Sequence, residues 1–419
     1  MSLLSRLTNA PAEGDLAGII ASLRAAGAGA PADLLASQPP APPEDPTPQR
    51  IPTGPVGLGT AAARLASILV APPEAPAPGP PSAPAVTPGG QQLYCPGPFR
   101  DNPALGDEVD DRLVEWAAEV GIYPGKLDQV RAAGIGRLIM LSHPDSDDPD
   151  RLLAAARCAL AEWATDDHYV DDPELGADPK LLATRLILAE AVIDPAHLPV
   201  RYAPQLEQAV QEDPVLVAYR SSFAFLSQYA SFSQVARLHH ELSVMFLAYD
   251  HEAAWQTEGR TPPVWEYLVH RHKNSFIPCM VLTDAVGGYE LPPIEFRDPR
   301  VRRVFTMAGL ASVLVNDLYS MSKEQGDTDY SLPRLIASED GVSLEEGIER
   351  TVAVHNELMH TVEAEAAPLA VQGSPALARF LIGLWAWLGG NHEWHRTSPR
   401  YRTDAPADRS ATEGEGGSA

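Results

Sequence analysis

The chain has 419 residues and carries 56 acidic against 31 basic side chains, a formal charge of −25. That balance argues against nucleic acid and anionic membrane surfaces as partners, and three cysteines at no metal-ligand spacing give no disulfide framework, which suits a reducing cytoplasm. No apolar run is long enough to cross a bilayer and the N-terminus lacks a charged region followed by an apolar core, so neither membrane spanning nor secretion is expected.

Residues 1–93 hold 18 of the 41 prolines and no aromatic side chain, the first being Tyr94. Such a segment cannot bury enough apolar surface to offset the entropy of ordering it, so it reads as a largely disordered Pro/Ala-rich arm with two short leucine-bearing pieces, 16–23 and 58–69. From residue 94 the pattern changes to helical apolar periods separated by proline- and glycine-marked loops. Helices are predicted over residues 109–120, 151–165, 179–192, 205–219, 235–249, 301–318, 344–366 and 375–388. No alternating apolar-polar run bounded by hairpin turns appears and no unit repeats, so residues 94–403 read as one all-α domain, followed by a flexible tail at 404–419.

The predicted helix 151–165 runs into Asp166-Asp167-His168-Tyr169-Val170-Asp171-Asp172, four carboxylates in seven residues at a helix C-terminal end. Like charges crowd there and the negative end of the helix dipole repels them further, so a positive partner is expected. Under α-helical geometry Asp167 and Asp171 share a face, whereas Asp166 and Asp171 lie ~140° apart. The three carboxylates are therefore not expected to meet one ion together, and Asp171→Asn is expected to be milder than Asp166→Asn or Asp167→Asn.

Further along, Asn316, Ser320 and Glu324 recur at a spacing of four. Each step of four advances ~40° around a helix and ~6 Å along it, so three oxygen-bearing side chains line one narrow face. Mg²⁺ takes such oxygens and completes its octahedron with water and phosphate. Lys323 sits where its ammonium can reach the same phosphate.

An acidic motif at a helix end followed by Asn-x-x-x-Ser-x-x-x-Glu resembles the two metal-binding motifs of class I terpene synthases. Arg271, 45 residues before Asn316, matches the family's diphosphate-sensing arginine, and Arg400-Tyr401 matches the pair that caps the diphosphate. The resemblance covers roughly residues 93–403 and implies a helical bundle enclosing one active-site cavity, a prenyl diphosphate substrate, three Mg²⁺ ions and a homodimer. It implies Asp166, Asp167, Asp171, Asn316, Ser320 and Glu324 as metal ligands, and Arg271, Lys323, Arg400 and Tyr401 as diphosphate binders. Trp163 and Trp394 lie just before diphosphate-contacting motifs, where the family's cavity is lined, and a π face there can stabilise a carbocation; Phe225 and Trp387 read as core. The Asp-Asp-x-Tyr-x-Asp-Asp form and the stretches 94–98 and 100–106 narrow the likeness to one group within the family.

Competing readings have weaker support. His392-Glu393-Trp394-His395 is one residue short of the metalloprotease helix, and no nucleotide-binding glycine loop or serine-hydrolase elbow is present. A chain-elongating prenyltransferase would need a second aspartate-rich motif where Asn-x-x-x-Ser-x-x-x-Glu stands. A non-catalytic diphosphate-binding protein would not need both the metal and the basic sets.

Overall fold

The computed structural model describes residue 87, residues 90–321 and residues 330–399. The expectations for residues 1–86, for Lys323, Glu324, Arg400 and Tyr401, and for the tail at 404–419 concern residues outside that range. Helices dominate and no strand occurs among the described residues: α1 Pro103–Val120, α2 Leu127–Ala133, α3 Ile135–Ser142, α4 Pro149–Thr165, α5 Pro179–Ile193, α6 Ala203–Glu212, α7 Pro214–Leu226, α8 Phe232–Glu258, α9 Val264–Arg271, α10 Pro299–Ser320, α11 Leu332–Asp340, α12 Leu344–Gln372 and α13 Pro375–Thr397. Single-turn helices at Ile277–Met280, Thr283–Val286 and Pro293–Phe296 join α9 to α10.

Many of these helices start the same way. Asn102-Pro103, Asp148-Pro149, Asp178-Pro179, Asp213-Pro214, Asp298-Pro299 and Ser374-Pro375 each place a side-chain oxygen that accepts from a first-turn backbone N–H, followed by a proline whose missing N–H costs nothing there. One of these starts corrects an expectation. The predicted helix over 205–219 is two helices, α6 and α7, because Pro214 cannot continue a helix and Asp213 caps the new one.

The bundle packs α10 against α12 and α13, α3 against α1 and α13, and α4 against α7 and α1. Its main core draws on nearly every helix, from Val109, Leu113 and Trp116 on α1 to Phe380 and Trp387 on α13. Trp387 is fully buried, as read from the sequence, and Phe225 packs partly buried against the same core. Gly389 and Gly390 allow α13 to approach neighbouring backbone closely. A β-carbon at Gly390 would fall 2.5 Å from the Leu141 carbonyl carbon of α3, and one at Gly389 2.6 Å from the Gly97 carbonyl oxygen. No described helix is long and apolar enough to cross a membrane.

Candidate active site

A cavity of about 660 Å³ lies where the C-terminal ends of α4, α8, α9 and α10 come together. Its polar lining comes from those ends: Asp166, Asp167 and Asp171 after α4, Glu252 on α8, Arg271 on α9, Asn316 and Ser320 on α10. One to two turns earlier on the same helices stand Trp163, Met245, Tyr249 and Val313, joined by Val170 and Phe276. At 1.5 Å of rise per residue, α4, α8 and α10 thus each carry a polar layer and, roughly 5–10 Å away along the axis, an apolar one.

The acidic segment is not α-helical. Asp166–Asp171 forms one π-turn, closed by the Asp172 N–H donating to the Asp167 carbonyl at 3.0 Å. A turn closed over five residues advances less per residue than an α-helix and so brings positions i and i+5 closer together round the axis. The expected separation of Asp166 from Asp171 therefore does not hold. Burial first, then the carboxylate of Asp171, then those of Glu252 and Asp167, push the Asp166 carboxyl well above the usual range. Asp167 is the one drawn aside, its Oδ2 accepting from the Tyr123 hydroxyl at 2.5 Å.

Arg271 is held on almost every side. Its Nε and Nη2 donate to Asp317 Oδ1 at 3.0 and 2.8 Å, Nη1 to the Asn274 carbonyl at 3.1 Å, and Nη2 to Asn316 Oδ1 at 3.1 Å. Of the five guanidinium N–H groups this leaves one for a substrate oxygen. Asp317 is buried and also accepts from the Tyr267 hydroxyl and the Leu332 N–H, so it anchors the arginine to α9, α10 and α11 together. Asn316 Nδ2 lies 3.4 Å from His395 Nε2 on α13. Ser320 is buried on the cavity wall.

Two carboxylates escaped the sequence reading. Glu252 meets His270 Nε2 at 3.3 Å and accepts from Asn274 Nδ2 at 3.2 Å. Burial would raise its carboxyl, but those two partners and Arg271 outweigh it and hold the group below its ordinary value. Glu162, one turn before Asp166, is buried on the wall with Oε2 accepting from Cys279 Sγ at 3.4 Å and Oε1 without a partner; burial pushes it up to about 8. Its available signal was the lone acid beyond the first turn of an alanine-rich helix. Asp317 offered a similar one, the one acid within a helix whose surrounding residues, Leu314, Val315 and Leu318, must be buried.

Trp163 lines the cavity as expected. Trp394 does not: it is fully buried behind Trp163, ring centroids 5.6 Å apart, with Nε1 donating to the Ala133 carbonyl. Spacing from Arg400 suggested a wall position, but the helix turns the indole away from the cavity and towards α2. Phe276, which packs on Trp387 and His395, lines the cavity.

Among the described residues no three His, Cys, Asp or Glu side chains close around a point. The acidic side chains share the wall with the Asn316 amide and the Ser320 hydroxyl, oxygen donors of the kind a hard cation takes along with water and phosphate oxygens.

A family model described as terpene synthase family 2, C-terminal metal binding, matches residues 158–361. With the relatives below, it shows that the chain belongs to the terpene synthase family and is a terpene cyclase. Its relatives there include 2-methylisoborneol synthases: that of Streptomyces ambofaciens is 40% identical over 85% of this chain and 82% of its own, and that of Saccharopolyspora erythraea 36% identical over 74% and 89%. The crystal structure of the Streptomyces coelicolor enzyme with Mg²⁺ and 2-fluoroneryl diphosphate superposes with a TM-score of 0.72 at 38% identity, covering 76% of this chain and 98% of that one. The same enzyme with Mg²⁺ and geranyl-S-thiolodiphosphate gives 0.69.

Proposed function

We propose that the enzyme converts 2-methylgeranyl diphosphate and water to 2-methylisoborneol and diphosphate, with Mg²⁺ as cofactor. The observation that carries this reading is the two-layered cavity, an acidic and arginine-bearing layer beside an apolar, aromatic one. The narrower choice of substrate is supported by the relatives' identity.

The residues present fit magnesium. The polar layer offers carboxylate, amide and hydroxyl oxygens and no sulfur, and the crowding of Asp166 by three carboxylates is of the kind that added positive charge relieves. Asp166, Asp167, Asp171, Asn316, Ser320 and Glu324 would hold the three ions that the resemblance implies. Bound there, they supply the charge that stabilises the leaving diphosphate.

Arg271, fixed by Asp317, presents its remaining N–H to a diphosphate oxygen, with Lys323, Arg400 and Tyr401 as further donors. The terpenoid chain folds against Trp163, Tyr249 and Phe276, whose π faces stabilise a cation in a dry pocket by ~2 kcal/mol or more. The apolar layer keeps bulk water from the cation until the final capture. A homodimer belongs to the same reading, supported by the exposed Ile187, Phe232 and Leu247 on the adjoining α5 and α8, as does a cytoplasmic location, supported by three free cysteines.

Incubating the purified protein with Mg²⁺ and, separately, 2-methylgeranyl, geranyl and farnesyl diphosphates tests the proposal by gas chromatography of the volatile products. The expected result is 2-methylisoborneol from the first substrate and no turnover after chelation. Exclusive formation of 2-methylenebornane, or turnover of farnesyl diphosphate alone, would overturn it, and silence with all three would favour a non-catalytic diphosphate-binding protein.

A further inference from the structure

Capture by water poses a problem that the apolar layer does not solve by itself. A water molecule held in a cavity needs two or more polar partners. Val170, Met245, Val313 and Phe276 offer none, and the polar groups nearby are already engaged: Ser275 Oγ donates to the His272 carbonyl and accepts from the Ile277 N–H, and the Tyr249 hydroxyl faces Met245 Sδ. Glu162 differs from them. It lines the wall four residues before Asp166, roughly 6 Å along the helix axis and so within the apolar layer, and one of its two carboxyl oxygens has no partner among the described residues. Its other oxygen is tethered by Cys279, which fixes where the free one lies. Buried polar groups are almost always satisfied, so a buried orphan oxygen on a residue of the cavity wall calls for a partner that arrives with the reaction.

We infer that Glu162 holds, by a hydrogen bond to its free carboxyl oxygen and with an oxygen of the released diphosphate as the second polar partner, the water molecule that captures the terminal cation. The inference rests on the proposed water-capturing reaction and deepens it. A lone pair of the water oxygen forms the new C–O bond to the tertiary cation and one water O–H bond breaks. The proton passes to the diphosphate released at the start of the same turnover, and no oxidant or reductant takes part. Where no water is held, the same cation loses a proton from the adjacent methyl group and leaves as the olefin 2-methylenebornane. Glu162 thus sets the branch between alcohol and olefin.

The test compares wild type, Glu162→Met and Glu162→Gln on 2-methylgeranyl diphosphate with Mg²⁺, reading alcohol and olefin per mole of diphosphate released. Met matches the length of Glu without a hydrogen bond, and loss of one such bond corresponds to an alcohol-to-olefin ratio about tenfold lower. Gln keeps a hydrogen-bonding group at the same place and should retain the ratio within about twofold. The thermal transition of the Met variant should lie at or above that of wild type, since an unsatisfied buried polar group is removed. An unchanged ratio in the Met variant overturns the inference, and so does a Gln variant that falls as far as Met, a comparison that needs only the isosteric variant if the other does not fold. If wild type itself makes no alcohol from any substrate, the proposed reaction fails and this inference with it; alcohol from wild type with an unaltered Met variant sinks only the role of Glu162.

Discussion

Asp171 is where sequence and structure part most clearly at the scale of single residues. An α-helical wheel sets it away from Asp166, whereas the π-turn makes it the leading carboxylate neighbour of Asp166 and leaves Asp167 bonded to Tyr123. Asp171→Asn is therefore expected to lower Mg²⁺-dependent kcat/KM by ~10²-fold or more, the scale of losing one electrostatic contact at a reacting centre, and Asp167→Asn by less. Steady-state kinetics at saturating Mg²⁺ check this; a milder Asp171 variant would restore the α-helical reading. The spacing of Asn316, Ser320 and Glu324 was legible because it repeats with the helix. Asp317 and Glu162 were not, since their roles depend on which residues of other helices reach them.

His143 gives a second residue-scale prediction. It is fully buried with both ring nitrogens unpartnered among the described residues, and burial, reinforced by the nearby Arg100 guanidinium, lowers it to about 3. Below about pH 6.5 the unfolded chain takes up a proton that the folded one refuses, so the stability associated with His143 is present above that pH and lost as pH falls. Between pH 7 and 5 this amounts to about 2 kcal/mol, one and a half pH units of linkage. Urea unfolding of His143→Leu at those two values should show a pH-dependence smaller by that amount. An identical pH-dependence would mean the imidazole is reached by water in the folded protein.

At the scale of elements, helix boundaries follow from local chemistry more closely than from apolar periodicity. The Asx-Pro and Ser-Pro starts are written in the sequence, and Pro214 was a readable stop inside the predicted 205–219 helix. The junction of α13 with α3 was not readable, because two glycines in a helix say only that something comes close. Gly390→Ala sets a methyl group against the Leu141 backbone, which cannot swing aside as a side chain could. Overpacking of this kind costs about 1–3 kcal/mol, to be seen as a lower Tm with the far-ultraviolet circular dichroism of a helical protein retained. An unchanged Tm would show that α13 slides to make room.

For the molecule as a whole, the all-α class and the resemblance to terpene synthases were legible, while the two-layered cavity needed the assembled bundle. Substrate choice is a property of that assembly. An apolar pocket reads one extra methyl group with ~1–3 kcal/mol of discrimination, so kcat/KM for 2-methylgeranyl over geranyl diphosphate is expected to differ by ~10- to 200-fold. Side-by-side kinetics with the two substrates give the ratio, and equal efficiencies would overturn the assignment. The division of α4, α8 and α10 each into a polar end and an apolar turn before it also bears on descent. Substitutions at Met245, Tyr249, Val313 or Phe276 alter the mould in which a cation folds without touching the groups that release it. Lineages built on this plan are thus free to explore new carbon skeletons one residue at a time, each intermediate form still able to ionise its substrate.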